Sequence, residues 1–233
     1  MESAAPGRTN ALVAGVLFIV ATAASLLSGP FLAPVTGSDN LTAAAHHQGQ
    51  VATGVLLGYI AAFAAPGIAI ALYPVLRKFG AGLALGAVGF RVIEGVLYAV
   101  GMTVLLSLST LSGDFVDAGS PGGQTYAPLG RTMLAQYHWM GDTGMLMAFS
   151  IGGGLYYLAF YRSRLIPAWL SLWGLAGAAL LMVAAVLVLF GAIGALSATQ
   201  VVLALPIAVQ EMVLAVWLIA KGFDRSAFTG GQD

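Results

Sequence analysis

Residues 82–110 read GLALGAVGFRVIEGVLYAVGMTVLLSLST, an apolar run whose only charged side chains are Arg91 and Glu94. An α-helix rises 1.5 Å per residue, so a run of this length exceeds the ~30 Å hydrocarbon thickness of a bilayer. The stretch therefore predicts a transmembrane helix with two ionisable groups at depth. Such groups cost at least a few kcal/mol in lipid and mostly face a cavity or a partner.

The rest of the chain follows the same pattern. Of its 233 residues, 59% are hydrophobic and only 8% are charged, which is typical of a polytopic membrane protein. The apolar runs are too long and continuous for porin-type strands, whose residues alternate. We predict an all-α fold, a single domain over residues 1–233 forming a bundle of six transmembrane helices. The predicted spans lie near residues 11–32, 49–73, 82–110, 132–160, 166–190 and 199–220.

Basic residues are distributed unequally between the two sides of this arrangement. One side carries Arg8, Arg77, Lys78, Arg162, Arg164, Lys221 and Arg225. The other side carries Arg131. The positive-inside rule then predicts a multi-pass protein of the cell membrane with both termini in the cytoplasm.

The N-terminus allows a second interpretation. Residues 11–20 followed by Ala21-Thr22-Ala23 resemble a signal peptide with a small-residue cleavage site. The apolar run continues to Leu32, however, which favours a retained first transmembrane helix.

Composition also excludes several classes of function. The formal net charge is zero, so no electrostatic attraction to nucleic acid is expected. The chain contains no cysteine, which excludes disulfides, thiolate metal sites and cysteine nucleophiles. No cofactor is predicted, and the expected partners are membrane lipid and a lipophilic small molecule.

Three carboxylates and one guanidinium fall at similar predicted depth. Counting helix rise from the predicted span ends places Arg91 and Asp142 about 14 Å deep, and Glu94 and Glu211 about 18 Å deep. His138 is expected above them, at about 8 Å. We therefore expect the four deep groups to converge on one cavity near the midplane.

Spacing supports specific pairs within this group. Arg91 and Glu94 are separated by three residues, and His138 and Asp142 by four, so each pair shares one helix face. Arg91 stays charged and should hold Glu94 ionised. Three acids cannot all be ionised beside one cation away from water, so at least one is expected to be neutral.

The candidate catalytic residues are thus Asp142, Glu211, Glu94 and His138. The candidate substrate-binding residues are Arg91, Tyr98, Tyr137, Trp139, Gln210 and Trp217. No metal site is assigned. The structural alternative is that these groups only join the helices through a salt bridge and hydrogen-bonded acids.

Three functional hypotheses remain open. The first is an intramembrane enzyme that uses general acid chemistry on a lipophilic, isoprenoid-like substrate, similar in logic to membrane-bound terpene cyclases. The second is a proton-coupled carrier, which an inverted repeat relating VIEGVL at 92–97 to VQEMVL at 209–214 would favour. The third is a hydrolase with a magnesium or manganese ion on His138, Asp142, Glu94 and Glu211.

Four short motifs resemble a bacterial six-helix membrane family catalogued as domain of unknown function 4386. They are LYPVLR at 72–77, FRVIE at 90–94, QEM at 210–212 and WLIAKGF at 217–223. The resemblance extends over nearly the whole chain and implies the fold and the membrane location. It places Arg91, Glu94 and Glu211 within recurrent motifs of the family, and it brings no established activity, substrate or catalytic residue.

Overall fold

The computed structural model describes residues 7–37, 40–120 and 125–228, and within these ranges every regular element is helical. The helices are α1 (Arg8–Thr36), α2 (Asn40–His46), α3 (Gln48–Asp117), α4 (Tyr126–His138), α5 (Leu146–Ser163), α6 (Ala168–Leu189) and α7 (Ala198–Ala220). A π-helical segment, Trp139–Met145, joins α4 to α5, and a short 3₁₀ turn, Ser226–Phe228, follows α7. The predicted all-α class is confirmed.

The longest helix, α3, folds back on itself. Its helical geometry breaks at Gly80, where φ is 173° and ψ is 89°. The hydroxyl groups of Tyr59 and Thr103 are 2.8 Å apart, and Arg91 Nε donates to the carbonyl of Ala65 at 3.3 Å. The later residue of the arm 48–79 thus contacts the earlier residue of the arm 81–117. The two arms are therefore antiparallel neighbours.

This fold-back explains how the helices relate to the predicted spans. Within the described ranges, five helical stretches are long and apolar enough to cross a membrane, and one of them is the whole of α3. Because α3 contains two antiparallel arms, the described part of the chain forms six long apolar segments. Each predicted span falls within one of these segments to within a few residues at its ends.

The connections differ from the sequence prediction. The predicted spans leave residues 33–48 and 111–131 as loops between helices, whereas α1 continues to Thr36, α2 occupies Asn40–His46 and α4 begins at Tyr126. Residues 38–39 and 121–124 of these connections lie outside the described ranges. Short polar segments become helical mainly because they pack on neighbouring helices. Hydropathy along the sequence does not predict such packing.

Gly95 allows the two arms of α3 to approach each other closely. A Cβ at Gly95 would lie 2.5 Å from the carbonyl oxygen of Ala62 and 3.0 Å from Cδ of Pro66. Neither neighbour is the end of a flexible side chain, so the contact requires glycine. Small residues of this kind allow helices in membranes to pack backbone to backbone.

The segment after α7 closes one end of the bundle. Arg8 donates to the carbonyls of Leu218 and Ile219 at 3.0 and 2.6 Å, and the amide of Asp224 donates to the carbonyl of Leu165 at 2.9 Å. The rings of Phe79 and Phe228 are 5.8 Å apart. These contacts bring the start of α1, the turn of α3, the α5–α6 connection and the end of α7 together, so the seven basic residues named above share one end, called here the basic end.

We expect Gly95→Ala to lower the free energy of unfolding by about 1–3 kcal/mol, because the new methyl group would push the arms of α3 apart. The matched control is Gly89→Ala on the same arm, where a Cβ meets nothing within 4 Å. Alanine should be neutral or stabilising there by up to about 1 kcal/mol, through helix propensity. Unfolding in detergent micelles measures both, and equal effects of the two variants would contradict the close approach.

Candidate functional site

An inner cavity of about 270 Å³ lies among α1, both arms of α3, the helix α5, α6 and α7. Its charged lining groups are Arg91, Glu94 and Glu211. Apolar side chains, among them Phe18, Ile68, Phe149, Leu181 and Ile207, form most of the remaining wall. A few converging polar groups in an otherwise apolar pocket are typical of a small-molecule site.

Arg91 and Glu94 form an ion pair beside this cavity. Arg91 is 2% exposed and Glu94 is 6% exposed. Arg91 Nη1 lies 3.0 Å from Glu94 Oε2, yet the two atoms are not aligned as a hydrogen bond. The contact is therefore chiefly electrostatic, and it agrees with the pairing predicted from the spacing.

The helix α5 and the other arm of α3 position the side chain of Arg91. It lies over the ring of Phe149 in α5, 4.8 Å from the ring centroid. Gly152, one turn further along α5, leaves room for it, since a Cβ there would lie 3.1 Å from Arg91 Cγ. Together with the bond to Ala65, these contacts hold the side chain between α5 and both arms of α3.

Glu211 has a different environment within the same cavity. Its side chain extends from α7 and is partly buried, and Tyr156 Oη donates to Glu211 Oε1 at 3.2 Å. Among the described residues the two ion pairs are Arg91–Glu94 and His138–Asp142. Glu211 therefore has a hydroxyl partner and no cation in direct contact.

An outer cavity of about 290 Å³ contains the third acid. Asp142 lines it together with Tyr137, Gly141 and Gln200. Asp142 Oδ2 is 2.8 Å from His138 Nδ1, so the predicted contact between these two residues is present. Asp142 and Gly141 belong to the π-helical segment Trp139–Met145, and such insertions in α-helices often occur at functional sites.

The two cavities are neighbours. Six residues line both of them: Ser25, Tyr98, Met145, Leu146, Leu181 and Ala204. The hydroxyl groups of Ser25 and Tyr98 are 3.1 Å apart at this shared wall. The predicted convergence on one cavity is therefore met by Arg91, Glu94 and Glu211, whereas Asp142 faces the adjoining one. The π-helical segment before α5 changes the direction in which its side chains point around the helix axis. A depth estimated from helix rise contains no information about that direction.

The other predicted residues separate into two groups. Tyr98 and Tyr137, predicted as substrate-binding residues, line the cavities. Gln210 is fully buried elsewhere, where its amide oxygen accepts from Tyr157 Oη at 2.5 Å and its amide nitrogen donates to the carbonyl of Leu170 at 3.0 Å. It joins α5, α6 and α7 and does not line either cavity.

The two predicted tryptophans also lie away from the cavities. Trp139 is 54% exposed and lies beside Thr132 and Gln136 on the outer face of the bundle. Trp217 lies at the basic end, near Lys221 and Phe223. The sequence places an aromatic residue at a depth but does not give its direction around the helix axis.

Sequence reasoning missed Tyr156, Phe149 and Ser25. Tyr156 is fully buried and is the direct partner of Glu211. A signal for it exists, because the pair Tyr156-Tyr157 interrupts an apolar run with two hydroxyl groups that need partners. Phe149 and Ser25 carry no such signal, since isolated phenylalanines and serines are common in membrane helices.

The metal hypothesis lacks a ligand set in the part of the chain that the structure describes. No group of three or more His, Asp or Glu side chains there is close enough to hold a metal ion. His138 and Asp142 provide two adjacent ligands, and Glu94 and Glu211 line the neighbouring cavity.

Long apolar helices and polar groups gathered in interior cavities define the class of this protein: it is an integral membrane protein of the helical type. Residues 13–222 match the family described as Domain of unknown function (DUF4386), and because the match spans most of the chain, the protein belongs to this family. The resemblance in the sequence motifs is thereby confirmed. No curated protein and no solved structure matches the chain.

We expect Arg91→Ala to lower the free energy of unfolding by about 3–5 kcal/mol, because Glu94 would lose the cation beside it. The double variant Arg91→Ala/Glu94→Gln should recover part of this loss, since the remaining side chain is neutral. The control is Arg131→Ala at an exposed position of α4, which should change stability by no more than about 0.5 kcal/mol. An Arg91→Ala protein as stable as this control in detergent unfolding would contradict a structural role for the pair.

Proposed function

We propose that the six apolar segments are six membrane spans in the cell membrane, with both termini in the cytoplasm. The support is the collection of seven basic residues at one end of the bundle, against Arg131 towards the other. The fold-back of α3 agrees with this topology. Its two antiparallel arms turn at Gly80, next to Arg77 and Lys78, so this turn lies on the side that carries most of the basic residues.

Reporter fusions test this topology. A fusion after Gly119 should report a periplasmic position and one after Ser163 a cytoplasmic position, because these residues lie at opposite ends of the spans. A cytoplasmic report from Gly119 would contradict the six-span topology.

We propose that the protein is an intramembrane enzyme that uses general acid chemistry on a lipophilic, isoprenoid-like substrate. The observation that carries the proposal is the carboxyl group of Glu211, which lines a mainly apolar cavity with a hydroxyl partner and no cation in contact. An unpaired carboxyl group away from water favours its neutral form, which can donate a proton. The logic resembles that of membrane-bound terpene cyclases and is an analogy of site alone.

Access to the inner cavity supports a substrate that arrives through lipid. Leu26 of α1 lines the cavity and is 73% exposed, and Ala208 of α7 lines it and is also exposed. Near the basic end α1 and α7 are packed together, since a Cβ at Gly15 would lie 2.8 Å from the carbonyl of Ala215. The cavity therefore reaches the lipid-facing surface where these helices separate.

The three acids would have different roles. Glu211 would transfer its proton to an alkene carbon or an epoxide oxygen, and the ionised Glu94 would stabilise the carbocation that forms nearby. Loss of a proton from a neighbouring carbon of that cation to Glu211 would end an isomerisation or cyclisation and restore the acid. Asp142, which lines the outer cavity and contacts His138, would exchange protons with the outer side.

The test compares wild type with Glu211→Gln and Asp142→Asn in proteoliposomes that contain prenylated or other polyene lipids. Each amide keeps the shape of the side chain and removes the proton. Glu211→Gln should reduce turnover by at least about 10²-fold, the lower range for a positioned acid, and Asp142→Asn should slow it less. Wild-type turnover by both variants would exclude the acid mechanism. The control is Gln136→Glu, which adds an acid on the exposed outer face and should leave turnover unchanged.

A proton-coupled carrier is the second candidate, and the adjoining cavities favour it. Asp142, in contact with His138, lines one cavity, Glu211 lines the next, and six residues line both of them. Titratable groups at successive depths are the arrangement expected of a proton pathway. Protonophore-sensitive uptake of a solute by proteoliposomes, without conversion of any lipid, would support the carrier in place of the enzyme.

A further inference from the structure

Two pockets at the basic end adjoin each other on the surface of the bundle. One, of about 320 Å³, is lined by Arg164, Lys221 and Asp224 together with residues 165–168, Trp217, Gly222 and Phe223. The other, of about 490 Å³, is lined by Val209, Met212, Val213, Val216, Trp217, Ala220 and Lys221. Trp217 and Lys221 belong to both, so a charged pocket continues into an apolar groove.

The groove follows one stripe of α7. Its residues are separated alternately by three and one positions from Val209 to Lys221, which is the spacing of a single helix face. At 1.5 Å per residue the stripe is about 18 Å long, close to the ~15 Å of hydrocarbon in one leaflet. Val209 is 44% exposed and Val216 is 61% exposed, so the stripe is open to lipid.

The charged pocket carries a net positive charge. Arg164 and Lys221 provide two cations, and Asp224 provides one anion. The hydroxyl and the amide of Ser226 donate to Asp224 Oδ1 at 2.8 and 2.9 Å, which lowers the pKa of Asp224 and keeps it ionised. Asp224 therefore opposes the two basic residues without cancelling them.

We propose that this pocket and groove bind one anionic phospholipid, with its phosphate at Arg164 and Lys221 and one acyl chain along the stripe of α7. Basic pockets beside transmembrane helices commonly hold anionic head groups. Arg164 is positioned for this at the end of α5, where it takes the left-handed conformation (φ 56°) that usually belongs to glycine. Charge complementarity at one end and apolar contact along one leaflet select a phospholipid over a free anion.

The experiment uses Trp217 as a reporter, after Trp139, Trp169 and Trp173 are replaced by phenylalanine. In proteoliposomes, phosphatidylglycerol with brominated chains should quench Trp217 with a relative association constant at least about fivefold above that of brominated phosphatidylcholine. Arg164→Gln/Lys221→Gln should reduce this ratio to about one. The matched control Arg77→Gln/Arg162→Gln removes the same charge from the same end and should keep the preference, because neither residue lines the pocket.

The charge of residue 224 and competition by inorganic phosphate test the proposal further. Asp224→Asn should raise the preference, because the amide oxygen can still accept from Ser226 while the opposing charge is lost. Inorganic phosphate should have no more effect than chloride at equal ionic strength. Competition by inorganic phosphate would assign the pocket to free anions, and equal loss of preference in the control variant would reduce the effect to general surface charge. Either result overturns the proposal.

A second measurement avoids the tryptophan replacements. The unmodified chain and the two double variants are purified in detergent, and their retained lipid is quantified by mass spectrometry. Phosphatidylglycerol should be enriched in the wild type and in Arg77→Gln/Arg162→Gln, and lost from Arg164→Gln/Lys221→Gln. Equal retention in all three proteins would contradict the proposed site.

Discussion

The guanidinium group of Arg91 is a charge that a bilayer cannot hydrate, and the centre of the bundle is arranged around it. Its ion pair with Glu94 lies within one arm of α3, its Nε bonds to Ala65 on the other arm, and Phe149 of α5 covers it. Each contact reduces the cost of holding a cation away from water. The same contacts fix three helical segments relative to one another, so the inner cavity has a wall of defined position.

Local spacing explains why part of the site could be predicted. The pairs Arg91–Glu94 and His138–Asp142 depend on separations of three and four residues along one helix, which a sequence displays directly. The six apolar segments depend on hydropathy and length, which are equally direct.

What the sequence did not provide was rotation about each helix axis. Gln210 precedes Glu211 by one position, yet the two side chains diverge: Gln210 joins α5 to α6, while Glu211 lines the cavity. Trp139 and Asp142 are similarly close in sequence, and the former points outward. These directions are fixed by packing between helices and by the π-helical segment, neither of which leaves a periodic signal in a single sequence.

The three acids that line the cavities illustrate how a membrane bundle can give similar groups different partners. Glu94 has a guanidinium partner, Asp142 an imidazole and Glu211 a phenolic hydroxyl. The three partners differ in charge: a permanent cation beside Glu94, an imidazole beside Asp142 and a neutral hydroxyl beside Glu211. Because each acid lies on a different helical segment, one bundle places three carboxyl groups with three different partners along the same pair of cavities. The proposed acid catalysis and the proposed proton-coupled transport would both use this arrangement, and in both proposals Glu211 is the group that holds the transferable proton.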